Sequence, residues 1–552
     1  MNLFGLPDLS FLPSIVTRAD VSEDLDSVQT IDSKREVDSR DVGIDPEAVE
    51  NIWAAATRWY RTGIHPAISV CIRIRGQILL RRSIGYSHGG GPDDPPGAEK
   101  ILCTPDTPFD VFSASKPMAA MVIHLLDQRH QLHLDDPVCE YIPEFAAHGK
   151  EWVTIRHVLT HRAGIPVIPE AALDLALLED VSNREAVRLL CEARPTSRAG
   201  GRLAYHAITG GFILGEIVRR VTGKNIRTVV DEELCKPMGW RWMNFGVRQR
   251  DIDKVARSYF TGFPLVRPLR GIVHSMLGVD FQDAVELSND PRYMMGVLPA
   301  ANLMATADEL CEFYQLLLEG GSLRGVEIFD PRTVWRAISE QSYGELDFTL
   351  GVPIRYGMGF MLGGEYLSLY GFDSRHAFGH LGLTNIVSWA DPQRHISACV
   401  MTSGKPVLYP EMHRAFGLMY AIAGACPRDE AVPPRPRPEQ RPRPGTPESA
   451  TKAAGPEAGA ADGKSAAAKK DGSGKKERAG KKRGGAKKGR SGKKGDASKK
   501  DGAGKKGDAA KKDSAAKKKD LAKKAGARKK SDAVKKGGAA KKAPPRAAKA
   551  PS

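Results

Sequence analysis

Ser113 and Lys116 stand three residues apart in the run Phe109-Asp-Val-Phe-Ser113-Ala-Ser-Lys116-Pro-Met-Ala-Ala-Met. A serine hydroxyl is a poor nucleophile until a base takes its proton. At the start of a helix this spacing puts both side chains on one face, one turn apart. The helix N-terminus adds positive potential where an oxyanion would develop. The pair therefore reads as nucleophile and activating partner, the Ser-x-x-Lys arrangement of acyl transfer through a covalent intermediate. Roughly one such pair is expected by chance among the serines of the body. Residues 1–426 hold no second copy, and copies further on, such as Ser491 with Lys494, follow from lysine-rich composition.

The surrounding elements must deliver those two side chains. An aromatic strand is expected to lead into Ser113, and residues 113–128, apolar at helical spacing, to leave it as a helix. Ala67–Arg75 and Gln77–Gly85 read as a hairpin turning at Gly76. Asn385–Trp389 and Ile396–Met401 read as strands near the end of the domain. Between Ile44 and about Cys426, helix-like and strand-like runs alternate with Gly/Pro punctuation. Residues 43–426 are thus expected to form one catalytic domain. Residues 1–42, polar and acidic, read as a flexible leader, and 427–450 as a Pro/Arg-rich linker. Residues 451–552 lack aromatics and have few large aliphatics, so they are expected to be a disordered Lys/Ala/Gly-rich tail.

The eight cysteines are scattered, mostly in apolar stretches, without CxxC or Cys/His metal spacing. They read as reduced, buried thiols, which favours a reducing compartment. The N-terminus lacks a basic segment and is interrupted by Pro7, Asp8 and Pro13, and no run of 18 apolar residues occurs. These features predict no membrane span and a cytoplasmic location. No metal or cofactor is called for.

Two motifs compete with Ser113 and are set aside. Gly85-Tyr-Ser87-His-Gly89 matches a Gly-x-Ser-x-Gly elbow, but the following SHGGGPDDPPG cannot be the helix that elbow needs, so Ser87 is assigned to a loop. His157 and His161 have i, i+4 spacing without a third ligand, so they read as a structural helix-to-turn segment rather than a metal site.

With the runs TPDTPFDVFSASKPMAAM, QLHLDDPVCEYIPEF, VTIRHVLTHRAGIP, GGRLAYHAITGGFILGEIVRRVTG and FGHLGLTN in this order, the chain resembles the beta-lactamase-related serine hydrolases over roughly residues 43–425. That family includes class C beta-lactamases, D-amino-acid peptidases and carboxylesterases. The resemblance implies an α/β, beta-lactamase/transpeptidase-like fold: an antiparallel sheet flanked by helices, plus an all-helical subdomain. It implies that Tyr205, in Tyr205-His206-Ala207, matches the family's Tyr-x-Asn tyrosine and acts as a general base. Such a base needs a pKa lowered by a nearby cation, for which Lys116 is the natural candidate. The family's asparagine is replaced by Ala207, and its Lys-Thr-Gly strand by His380-Leu381-Gly382. Leu381 lacks the hydroxyl that binds a substrate carboxylate. Gly382 lets substrate lie close, Leu383 offers a backbone N–H to the oxyanion hole beside that of Ser113, and His380 contributes to proton handling. These departures favour a small ester or amide over beta-lactams and cell-wall peptides.

The net charge of +16 averages two unlike parts. Residues 451–552 carry 35 Lys and Arg against 10 Asp and Glu, a net of +25; residues 1–450 carry 47 against 56, a net of −9. Such a tail is a sequence-independent, salt-sensitive polyanion ligand. Its composition resembles the tails of linker-histone-like and nucleoid-associated proteins, which makes DNA the leading partner and nucleoid association the expected location. The reading is therefore a serine esterase or amidase with a DNA-binding tail. Two alternatives are a nucleic-acid-binding protein on an inactive hydrolase scaffold, and a beta-lactamase or D,D-peptidase.

Overall fold

The structure, a computed structural model, describes residues 15–169, 183–366 and 368–429. They all belong to the first of two units into which the chain divides, Met1–Pro442. The linker beyond residue 429 and the basic tail, with the disorder predicted for the tail, lie outside the described residues.

A nine-stranded antiparallel sheet forms the frame. Along its main path the strands run Gln29–Ile31, Gln77–His88, Ala67–Ile74, Ile396–Thr402, Ile386–Asp391, Phe378–Gly382, Met361–Leu362 and Arg355–Tyr356, and Ile101–Leu102 pairs beside Gln77–His88. The hairpin predicted around Gly76 is present, its second strand running on to His88. Ser87 therefore sits at a strand end rather than in a loop. Its Oγ donates to the Ile101 carbonyl.

Every residue of the strands Ala67–Ile74, Ile386–Asp391 and Ile396–Thr402 is buried. This follows from a sheet covered on both faces. On one face, Ile68, Val70 and Ile72 pack with Trp59, Trp389 and Leu418 beneath the helices Pro46–Tyr60 and Met412–Ala425. Pro46 starts the first of these helices and Asp45 caps it by accepting the Glu47 amide, which fixes where the chain turns helical. On the other face, Cys71 and Cys399 pair in register and pack with Leu310 and Cys311 of the helix Ala307–Leu318. Seven cysteines are buried, Cys139 is half-buried, and all are free thiols.

The residues predicted as a loose leader behave otherwise from residue 15 onward. Gln29–Ile31 adds an edge strand against Ile84–Arg82, and Val28 and Val42 are buried. The reason is electrostatic as well as apolar. Arg81 and Arg82 are buried on the adjacent strand and take Asp32 and Glu36 of this segment as partners. Its acidic composition, read as a solvated leader, instead neutralises buried arginines.

The helix Lys116–Gln128 lies inside the protein, with Lys116 through Asp127 all buried. Its packing joins the sheet to helices such as Thr209–Thr222 and Ile226–Val230. The N-terminus of this central helix is where Ser113 and Lys116 sit. No helix among the described residues is long and apolar enough to cross a membrane.

Candidate active site

The chain reaches Ser113 through a short strand, Phe109–Asp110, paired with Leu303–Ala305, and then a 3-10 turn, Phe112–Ser115, that runs into the Lys116 helix. Ser115 Oγ accepts the Leu303 amide, tying the turn to the same strand. Lys116 Nζ lies 3.0 Å from Ser113 Oγ, 2.7 Å from the Ala207 carbonyl oxygen and 3.1 Å from the Ala300 carbonyl oxygen. Among the described residues no carboxylate lies within ion-pair distance of it. Burial pushes its pKa down to about 7. A neutral amine has two hydrogens and one lone pair. Carbonyl oxygens only accept, so they take both hydrogens and leave the lone pair facing the serine hydroxyl. This geometry suits Lys116 to accept the Ser113 proton.

Tyr205 is buried with its ring under Lys116, 4.9 Å from ring centre to Nζ. Burial raises its pKa, and although its hydrogen bond with Ser113 pulls the other way, the nearby Asp347 carboxylate adds to the rise. The lowered tyrosine pKa predicted from the sequence is thus reversed. Lys116 is itself desolvated and held near neutrality, so it does not act as the fixed cation that the prediction required. Tyr205 keeps its proton and is suited to donate it.

Asp347 is a residue that sequence reasoning missed. Its Oδ1 accepts the amides of Tyr205, Thr349 and Leu350, and its Oδ2 accepts the Tyr356 hydroxyl. One buried carboxylate thereby fixes the backbone of Tyr205. Nothing in the sequence around it distinguishes it from other loop aspartates.

His380 is buried with Nδ1 2.7 Å from the Leu381 carbonyl oxygen and its ring 6.3 Å from that of Tyr205. The carbonyl requires hydrogen on Nδ1, which leaves Nε2 bare. Burial, with Lys116 nearby, pushes its pKa down to about 3, so the ring is neutral at physiological pH. Gly382 is required by close approach: a Cβ there would lie 2.3 Å from the Val111 carbonyl oxygen. The strand can therefore press against the nucleophile turn and bring Leu383 into the same cleft as Ser113. That cleft has a volume of about 90 Å³, and Phe112, Ile208, Leu277, Leu287 and Leu298 make its walls apolar.

The two histidines set aside as structural separate. His157 closes a capping box with Thr154. His161 packs its ring 4.7 Å from that of Tyr205 and accepts the His206 amide on Nδ1. It shapes the site from behind without a metal partner; among the described residues no cluster of potential metal ligands occurs. A larger polar cleft of about 750 Å³ between Arg35, Asp106, Trp240 and Arg324 lies away from Lys116 and is crossed by ion pairs, including Arg35 with Asp308.

Comparison with known proteins bears on the family and the fold. An esterase/beta-lactamase, LipL, of Mycobacterium tuberculosis (strain ATCC 25618 / H37Rv) is 29% identical over 298 residues, which cover 52% of this chain and 67% of LipL. The penicillin-binding protein homologue from Caulobacter crescentus superposes with a TM-score of 0.58 at 26% identity, covering 69% of this chain and 99% of that one. A family VIII carboxylesterase superposes with a TM-score of 0.56 at 25% identity, covering 68% of this chain and 98% of that one. The beta-lactamase family model matches residues 55–416, so the chain belongs to the beta-lactamase family and is a serine hydrolase.

Proposed function

We propose that the domain hydrolyses uncharged esters, or small amides, through an acyl-enzyme on Ser113. The observation that carries this is the arrangement at Lys116: Nζ lies within hydrogen-bond distance of two carbonyl oxygens and of Ser113 Oγ, so that in the neutral amine the lone pair is left for the serine. Lys116 takes the Ser113 proton as Oγ attacks the substrate carbonyl. The backbone N–H groups of Ser113 and Leu383 hold the oxyanion. Tyr205 passes its proton to the departing alkoxide and recovers one from Lys116. Water then attacks the acyl-enzyme, losing its proton to Lys116, and Lys116 returns a proton to Ser113 Oγ as the bond from Oγ to the acyl carbon breaks and the acid leaves.

The walls of the cleft favour an ester over a beta-lactam. Among the described residues they carry no cationic side chain; Ala207 replaces the amide that would hold a substrate side-chain amide, and Leu381 lacks the hydroxyl that would bind a substrate carboxylate. Wild type and Ser113→Ala are compared on a short-chain nitrophenyl ester and a chromogenic cephalosporin. Ester turnover by wild type alone supports the reading. Absence of ester turnover refutes it, and efficient cephalosporin turnover overturns the substrate class.

The charge of residues 451–552 supports a second, separate activity, binding of DNA or another polyanion and hence a nucleoid-associated location. Retention of DNA in a gel should fall steeply between 50 and 200 mM salt, on the order of a thousandfold or more in affinity. Deletion of 427–552 should abolish it. Unchanged retention after deletion excludes the tail as the binding element.

A further inference from the structure

The nucleophile stands next to strained backbone. Phe112, directly before Ser113, has φ of +48°, a region that disfavours any residue with a Cβ. Its amide donates to Asp110 Oδ1 at 2.9 Å. The other carboxyl oxygen of Asp110 lies 3.1 Å from Tyr293 Oη, and Tyr293 Oη lies 3.1 Å from the Ala301 carbonyl oxygen. The preceding carbonyl, that of Ala300, is one of the two that fix Lys116 Nζ. One buried carboxyl group therefore joins the backbone that presents the nucleophile to the backbone that orients the base.

Resting on the reading of Ser113 as nucleophile, we propose that Asp110 and Tyr293 are positioning residues for the reaction. They hold the Phe112–Ser113 turn and the Ala300–Ala301 segment in one arrangement, so that Ser113 Oγ stays within hydrogen-bond reach of Lys116.

Two further observations fit this role. Asp110 forms no ion pair within 4.0 Å among the described residues, so its side-chain hydrogen bonds are to the Phe112 amide and Tyr293 Oη. Tyr293 has a single hydroxyl hydrogen but two acceptor neighbours. A proton on Asp110 resolves the conflict: the acid donates to Tyr293 Oη, and Tyr293 donates to Ala301. Burial does push Asp110 up to about 7, against the pull of the Phe112 amide, Lys405 and Tyr293. Lys405 Nζ also sits 4.9 Å from the centre of the Phe112 ring, so the strained residue is held through its side chain as well.

The test uses the full chain, with Asp110→Ala, Asp110→Asn, Tyr293→Phe and the Asp110→Ala/Tyr293→Phe double variant. Each is checked for folding by thermal melting. The readouts are kcat and KM on a short-chain nitrophenyl ester and the rate of labelling by a fluorophosphonate. Asparagine keeps an acceptor for the Phe112 amide and gains a donor for Tyr293 Oη. For displacement of the nucleophile by a fraction of an ångström, Asp110→Ala should lose about 30- to 100-fold in kcat with KM within about twofold. Asp110→Asn should stay within about threefold of wild type, and Tyr293→Phe should fall about tenfold. Because both residues act as one unit, the double variant should fall no further than Asp110→Ala. Wild-type kcat in Asp110→Ala, or a folded Asp110→Asn as impaired as Asp110→Ala, overturns the proposal. If Asp110→Ala does not fold, Tyr293→Phe decides, and unchanged kcat there overturns it. Failure of wild type itself to turn over ester or label at Ser113 refutes the nucleophile reading instead.

Discussion

The burial of Lys116 sets a pH dependence for activity and for stability that can be worked from its surroundings. Its pKa falls from an ordinary 10.5 to about 7 because the amine is desolvated among carbonyls and apolar groups. The amine takes the Ser113 proton only when neutral. Below about pH 7, kcat/KM should therefore fall tenfold per pH unit, to about 1% of its plateau at pH 5. The same depression costs stability. Between about 7 and 10.5 the unfolded chain binds a proton that the folded chain lacks, so stability rises with pH across that window and is lowest below it. The full difference corresponds to roughly 5 kcal/mol, an upper bound on the cost of the buried charge. Lys116→Met removes that cost but leaves two carbonyls without their donor, at about 1–3 kcal/mol each. The variant should be inactive, and its stability relative to wild type should be several kcal/mol better at pH 6 than at pH 10. A pH–rate profile with an uncharged ester and urea unfolding at both pH values measure the two effects. A flat kcat/KM from pH 5 to 9, or a Lys116→Met variant more destabilised at pH 6 than at pH 10, refutes the reasoning.

Other substitutions test other parts of the site. Gly382→Ala sets a Cβ 2.3 Å from the Val111 carbonyl, so the strand must retreat; kcat should drop sharply, with about 1–3 kcal/mol lost in denaturant unfolding. Asp347→Ala leaves four donors without their acceptor, and should lower both thermal stability, by about 3 kcal/mol or more, and kcat through loss of Tyr205 placement. Leu298→Trp fills part of a cleft of about 90 Å³, so selectivity measured across acyl chain lengths should shift toward shorter esters.

Much of the frame was legible in the sequence because period and punctuation encode it. The hairpin at Gly76 and the buried strand around Cys399 announce themselves as short β-branched and apolar runs between turn residues. Ser113, Lys116 and Tyr205 were found because motif order fixes them, and the structure brings all three together. What escaped was long-range and electrostatic. Residues 15–42 read as solvated because their acids were counted without the buried Arg81 and Arg82 that neutralise them. Tyr205 was assigned a lowered pKa because Lys116 was taken as a permanent cation, whereas burial lowers the amine to about 7 and raises the tyrosine. Asp347, Tyr293 and the Ala300 carbonyl act through backbone contacts that no local pattern records. His161 was read as structural, but its packing against Tyr205 was not visible from the sequence.

If Ser113 carries the acyl group and Lys116 activates it, covalent labelling at Ser113 depends on Lys116 and on its protonation. Mass spectrometry of wild type and Lys116→Met after brief exposure to a fluorophosphonate tests it most directly. A single adduct is expected on the peptide containing Ser113, formed in wild type at a rate that falls below about pH 7 and at least a hundredfold more slowly in Lys116→Met. An adduct on Ser87 or any other residue, or equal labelling of the two proteins, contradicts it.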